Sequence, residues 1–194
     1  MYRERMETLK EWKVSKNRKP LIIRGARQVG KTWLMKEFGK LYYEKCAYIN
    51  FDNNSRMDIL FNEEFDLNRI IQGLKIESGI NIEPENTLII FDEIQETPNA
   101  LKALKYFYEN ANEYHIVAAG SLLGVAMHQG TSFPVGKVNF MDLMPLSFFE
   151  FLDALGQDHL LNLLKNNEFD MISVFNNKYK VYLKLYYYIG GMPE

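Results

Sequence analysis

Apolar residues along this chain fall into two kinds of pattern that alternate. Short runs rich in β-branched residues recur at Leu21-Ile22-Ile23, Ala47 to Phe51, Leu88-Ile89-Ile90-Phe91 and His115 to Ala119. They are too short for ordinary helices and predict fully buried parallel strands. Between them lie longer stretches with apolar residues at helical spacing. These are Tyr2, Met6, Leu9 and Trp12; the segment from Trp33 to Phe38; Phe65, Ile70, Ile71 and Leu74; and Leu101, Leu104, Phe107 and Tyr108. Breakers punctuate the pattern: Pro20 opens the first strand, Asp52-Asn53-Asn54 makes a turn, and a helix ends near Gly79. Pro84-Glu85-Asn86 turns into the third strand, and Pro98 starts a helix. After Pro134 and Gly136, Lys137 to Met141 predicts a fifth strand. Tyr179, Leu183, Tyr186 and Tyr187 form an aromatic stripe at helical spacing, which reads as core. Strands alternating with helices predict an α/β fold, a parallel sheet covered on both faces with ligand at the carboxyl ends of the strands.

The chemistry is concentrated where two of these strands end. Gly25-Ala26-Arg27-Gln28-Val29-Gly30-Lys31-Thr32 fits G-x-x-x-x-G-K-[ST], the Walker A phosphate loop, and sits between a strand and a helix as that motif requires. Its glycines let successive N–H groups turn inward toward a polyphosphate, and the following helix presents its positive end. Lys31 would reach the β and γ phosphates, and Thr32 would hold Mg²⁺ through its hydroxyl. The strand Leu88 to Phe91 ends in Asp92-Glu93, a Walker B pair. Asp92 is placed to orient Mg²⁺ and its waters, and Glu93 to polarise the water that attacks the γ-phosphate. Ser121 follows the fourth strand, where it can cap the helix through Leu122, Leu123, Val125 and Ala126.

Composition narrows the setting. The 194 residues favour one domain, with room for a small appendage, and 47% hydrophobic content supports a sizeable core. A net charge of −2 gives no global attraction to nucleic acid or anionic membrane, so such a contact would need a local patch. The first helix offers one, since Arg3, Arg5, Lys10, Lys13, Lys16, Arg18 and Lys19 outnumber Glu4, Glu7 and Glu11; a solvated helix face is the plainer reading. Cys46 is the only cysteine, expected as a small buried hydrophobe. His115, His128 and His159 lack metal-ligand spacing. No apolar run approaches the roughly 18 residues of a membrane span, and no leader opens the chain, so a cytoplasmic protein with no membrane contact is expected.

The motifs together resemble a known family. Phe91-Asp92-Glu93-Ile94-Gln95, Ala119-Gly120-Ser121, Phe133-Pro134-Val135-Gly136-Lys137-Val138, Pro145-Leu146-Ser147-Phe148-Phe149-Glu150-Phe151 and Gly190-Gly191-Met192-Pro193-Glu194 follow the Walker A loop in order. This is similar to the predicted AAA-like ATPases of bacteria and archaea that carry a C-terminal domain of unknown function. The resemblance implies a P-loop NTPase sheet of five strands in the order 5-1-4-3-2, and places Ser121 at the sensor 1 position. It also implies a core over 1–145, a helical segment over 146–194 that begins a lid or C-terminal region, and a further domain after Glu194.

The expected activity is Mg²⁺-dependent ATP binding and slow ATP hydrolysis. Gly25 to Thr32 would bind the nucleotide, Thr32 and Asp92 the metal, and Glu93, Lys31 and Ser121 would serve catalysis. Adenine follows from the resemblance and from the lack of an N-K-x-D motif. The alternative is a nucleotide-dependent switch or scaffold with little turnover, linked to DNA through the further domain. A small-molecule kinase would need an acceptor pocket and basic lid residues that are not legible here. A homo-oligomer is compatible with the resemblance. Arginine occurs only at positions 3, 5, 18, 24, 27, 56 and 69, so no arginine finger follows the Walker B strand; Lys137 is the substitute cation to consider.

Overall fold

The computed structural model describes residues 3–62, 65–120 and 136–193. Among them, five strands run parallel: β1 (Leu21–Arg24), β2 (Lys45–Asn50), β3 (Thr87–Asp92), β4 (His115–Ala119) and β5 (Asn139–Asp142). Their order is β2-β3-β4-β1-β5, which is the expected 5-1-4-3-2 sheet read from its other edge. The helices are α1 (Arg5–Val14), α2 (Lys31–Tyr42), α3 (Ser55–Asn62), α4 (Leu67–Ser78), α5 (Pro98–Asn110), α6 (Phe148–Ala154), α7 (Asp158–Lys165), α8 (Phe169–Val174) and α9 (Asn176–Ile189).

Strand alternation divides the core in two. Ile22, Ile89, Phe91, Ile116 and Ala118 face α3, α4 and α5, where they meet Phe61, Ile70, Leu74, Leu104 and Phe107. Leu21, Ile23, Leu88, Ile90, Val117 and Ala119 face α1 and α2, where they meet Leu9, Trp12, Leu34, Met35 and Phe38. This is why the central strands read as unbroken apolar runs: both faces are covered. Each such buried Leu, Ile or Phe contributes about 1.5–3 kcal/mol.

Local signals set the helix ends. Asp66 caps α4 by accepting from the N–H groups of Asn68 and Arg69, and Gly79 closes it at φ 68°. Pro98 stands at the start of α5. Ser147 and Glu150 form a capping box at α6. The second strand starts two residues earlier than its apolar run, at Lys45, and the fifth starts at Asn139 and ends at Asp142. In α9, Tyr179 is buried and donates to the Leu160 carbonyl, and Tyr186 packs with Phe148 and Phe151. Tyr187 departs from the expected core stripe: it is 75% exposed. Cys46 is half-buried rather than enclosed, with its Sγ 2.7 Å from where a Cβ on Gly39 would lie; burial pushes its thiol up to about 11.

His115 opens β4 between Trp12 and Tyr43, and its Nδ1 shares a 2.7 Å hydrogen bond with the Tyr43 hydroxyl. Burial, reinforced by the charges of Arg18 and Lys13, pushes its pKa down to about 4. The folded protein therefore holds a neutral ring, while the unfolded chain takes up a proton near pH 6.5. Its contribution is complete above that pH and is lost as pH falls from 6.5 toward 4. The urea midpoint should drop between pH 7 and pH 5, above the range in which carboxylates titrate, and His115→Gln should flatten that drop.

Candidate functional site

The carboxyl ends of β1, β3 and β4 lie level, since Ile23 pairs with Ala119 and Ala119 with Asp92. The segments that leave these three strands therefore share one rim. From β1 comes the loop Gly25 to Gly30. A Cβ on Gly25 would lie 2.3 Å from the Leu143 carbonyl oxygen, so only glycine lets the loop pass the end of β5. Gly25→Ala is expected to lower the melting temperature by roughly 2–12 °C, the range of an overpacked contact in a domain of this size. Val29 is buried beneath the loop, while Ala26, Arg27 and Gln28 are exposed. Gln28 (φ 66°) and Gly30 (φ 86°) both adopt left-handed backbone, which curls the chain before it enters α2.

Among the described residues, no side chain caps α2. First-turn N–H groups have no acceptor within their own helix, so this end attracts an anion. Lys31 is 7% exposed, and its ammonium donates to the Gly25 and Ala26 carbonyls at 3.1 and 2.7 Å. The cation thus lies across the loop that it follows.

At β3 the acidic pair separates into two environments. Asp92 is 4% exposed, and its Oδ2 accepts hydrogen bonds from Thr32 Oγ1 (2.7 Å) and from the Tyr48 hydroxyl (2.9 Å). Glu93 takes left-handed backbone at φ 52°, unusual for a residue other than glycine, and turns away into a single 3₁₀ turn. Gln95 Nε2 donates to Glu93 Oε2 at 2.7 Å and to Glu96 Oε1 at 3.2 Å, which holds the Glu93 carboxylate in one orientation. Thr32 and Asp92, sixty residues apart, are joined; Glu93 is directed by Gln95. Ser121 lies outside the described residues.

Tyr48 and Gln95 are the members of this constellation to which motif reading gave no role. Tyr48 could have been found from its register opposite Ile90, because strand alternation puts it beside the end of β3. Burial, with the negative charges of Asp92 and Glu93, raises its pKa and keeps it a hydrogen-bond donor. Gln95 closes the Phe91 to Gln95 motif, but the sequence alone does not show that it faces Glu93.

The C-terminal Gly-Gly-Met-Pro segment returns to the same rim. Gly191 accepts from Leu146 N–H at 2.7 Å, and a Cβ there would lie 2.7 Å from the Leu146 carbonyl oxygen. This close approach brings Pro193 within 3.2 Å of where a Gly30 Cβ would lie. Nearby, a cavity of about 320 Å³ opens between α1 and the β5–α6 connection, lined by Thr8, Leu143, Met144 and Ser147. Arg3 also lines it and is no part of a solvated basic face: it is 2% exposed, bonded to the Met144 carbonyl and 3.5 Å from Glu150. Arg18 binds the Asn112 carbonyl, and Lys13 stacks on Tyr43, so much of the basic excess of the first segment is used in packing. Lys137 pairs with Glu109 at 2.8 Å, at the amino end of β5 and so at the opposite end of the sheet from the loop.

A parallel 5-1-4-3-2 sheet with this loop after its β1 strand and an acidic pair at the end of β3 is the architecture of a P-loop nucleoside triphosphatase. A family model of the AAA domain matches residues 17–152, and the chain belongs to that family. Among solved structures, it is similar to the Walker-type ATPase PABY2304 of Pyrococcus abyssi, with TM-score 0.51 and 16% identity over 84% of this chain and 59% of that one. It is also similar to Drosophila ORC bound to DNA, with TM-score 0.57 and 18% identity over 95% of this chain and 56% of that one. The Aeropyrum pernix ORC2 protein, in its ADPNP-ADP complexes, gives TM-score 0.51 and 18% identity over 82% and 52%. At these identities the likeness establishes the fold alone. The chain spans between 52% and 59% of the length of these three proteins. No curated protein matches it.

Proposed function

We propose that this AAA domain binds ATP with Mg²⁺ and hydrolyses it slowly. The observation that carries the reading is the 2.7 Å hydrogen bond from Thr32 to Asp92, which joins the phosphate loop to the acidic strand. A hydroxyl and a carboxylate are hard oxygen donors and fit Mg²⁺, which takes few protein ligands beside phosphate and water. Thr32 and Asp92 would hold the metal, which neutralises charge on the phosphates when bound. The residues of the chain do the rest. The N–H groups from Gly25 to Thr32 cradle the phosphates, and Lys31 exchanges its loop carbonyls for phosphate oxygens. Glu93 accepts a proton from the attacking water, with Ser121 in a supporting role that its sequence position suggests. The segment 146–194 acts as the start of a lid, a reading supported by the approach of Pro193 to Gly30.

Slow turnover follows from the arginines. Arg24 forks onto Asp142, Arg56 onto Glu77, and Arg69 binds the Leu60 carbonyl, so these three are already used within the fold. An arginine finger is worth roughly 10³–10⁵ in rate in P-loop enzymes. Multiple-turnover phosphate release, measured with and without Mg²⁺, tests the proposal: slow, Mg²⁺-dependent release supports it. Tight ATP binding without release would instead make the chain a nucleotide-dependent switch.

A further inference from the structure

The structure assigns Tyr48 a positioning role at the metal site: its hydroxyl fixes which oxygen of Asp92 is offered to Mg²⁺. This rests on the Mg²⁺-ATP reading above. Asp92 Oδ2 already receives two donors, Thr32 Oγ1 at 2.7 Å and the Tyr48 hydroxyl at 2.9 Å. A carboxylate oxygen offers two lone-pair directions, so Oδ2 is filled. Among the described residues, Oδ1 accepts no hydrogen bond, and it is the oxygen left for a metal-bound water. With Thr32 alone on Oδ2, the carboxylate could rotate about its last bond and exchange its two oxygens; a second donor from another strand removes that freedom.

The way Tyr48 is held supports the assignment. Thr32 and Lys36 stand four residues apart and so on one face of α2. Thr32 meets Asp92, while the Lys36 ammonium lies 3.6 Å from the centre of the Tyr48 ring. One helix face therefore grips both ends of the pair, the carboxylate directly and the phenol through its ring. The helix that starts at the phosphate loop sets the ring, the ring sets the carboxylate, and the carboxylate faces the metal.

The experiment compares the full chain with Tyr48→Phe. That change deletes one oxygen, keeps the ring under Lys36, and leaves Asp92 Oδ2 its bond from Thr32, so no buried acceptor is orphaned; equal melting temperatures within a few degrees check this. A fluorescent ATP analogue is titrated in EDTA and across a Mg²⁺ series, and Mn²⁺ binding to the nucleotide-loaded protein is read by electron paramagnetic resonance. Removing a group that orients a metal ligand typically costs 10–100-fold in metal affinity. The expected result is unchanged affinity in EDTA, within about twofold, with the Mg²⁺ and Mn²⁺ needed for half-saturation raised about 10-fold or more. Identical metal dependence in parent and variant would overturn the assignment and leave Tyr48 a packing residue. A parent whose nucleotide affinity ignores Mg²⁺ would overturn the Mg²⁺-ATP reading itself, and this assignment with it.

Discussion

Glu93→Gln is expected to keep nucleotide binding and to lose turnover. The amide has the size and shape of the carboxylate, and its carbonyl oxygen can still accept from Gln95 Nε2, which now lies 2.7 Å from Glu93 Oε2. The side chain at this position is thus held by the same neighbour, and the end of β3 should keep its geometry. What the variant loses is basicity. An amide does not take a proton from water, and a positioned general base contributes about 10²–10⁴ in rate. Phosphate release per folded molecule should therefore fall at least 10²-fold, while affinity for a fluorescent ATP analogue stays within about twofold. Equal turnover in parent and variant would remove Glu93 from the chemistry, and Asp92 would become the carboxylate to test.

Fold and site were legible in the sequence to different depths, for physical reasons. The sheet was readable because its central strands are buried on both faces: Leu88 to Phe91 and His115 to Ala119 have no polar alternation to confuse them with surface strands. Their order followed from resemblance, not from pattern, since apolar runs carry no information about which strand lies beside which. The phosphate loop was readable because its geometry demands glycine at fixed positions, as the approach of Gly25 to the Leu143 carbonyl illustrates. The α3 helix was missed because its eight residues follow a turn rich in Asn and Asp, with Met57 and Phe61 as its buried anchors. Arg3 was misplaced because charge counting along a helix assigns every cation to solvent, whereas a guanidinium can be drawn under a helix N-terminus by a capping-box glutamate. Tyr48 and Gln95 depend on contacts between segments distant in sequence or without period. Such contacts exist only once the strands are laid side by side.

Lys31→Ala carries the largest expected loss of affinity, and its effect can be separated from stability. In the structure the ammonium is buried and donates to carbonyls of its own loop, Gly25 and Ala26. Those two acceptors lie on a loop whose neighbouring residues are exposed, so water can replace the lysine there, and removal of a buried cation recovers its desolvation cost. The melting temperature without nucleotide should accordingly move little. With nucleotide the balance reverses, because the phosphate oxygens lose their largest side-chain charge. Loss of one partner from such a charge pair costs about 2–5 kcal/mol, or roughly 30- to 4,000-fold in affinity. The readout is the thermal shift produced by Mg²⁺ and an ATP analogue at a concentration near 100 times the parent's dissociation constant. Mass action gives the parent about 2.7 kcal/mol of added stability there, and a variant weakened 100-fold gains about 0.4 kcal/mol. Parent and variant with the same ligand-induced shift would show that the phosphate loop is not where nucleotide binds.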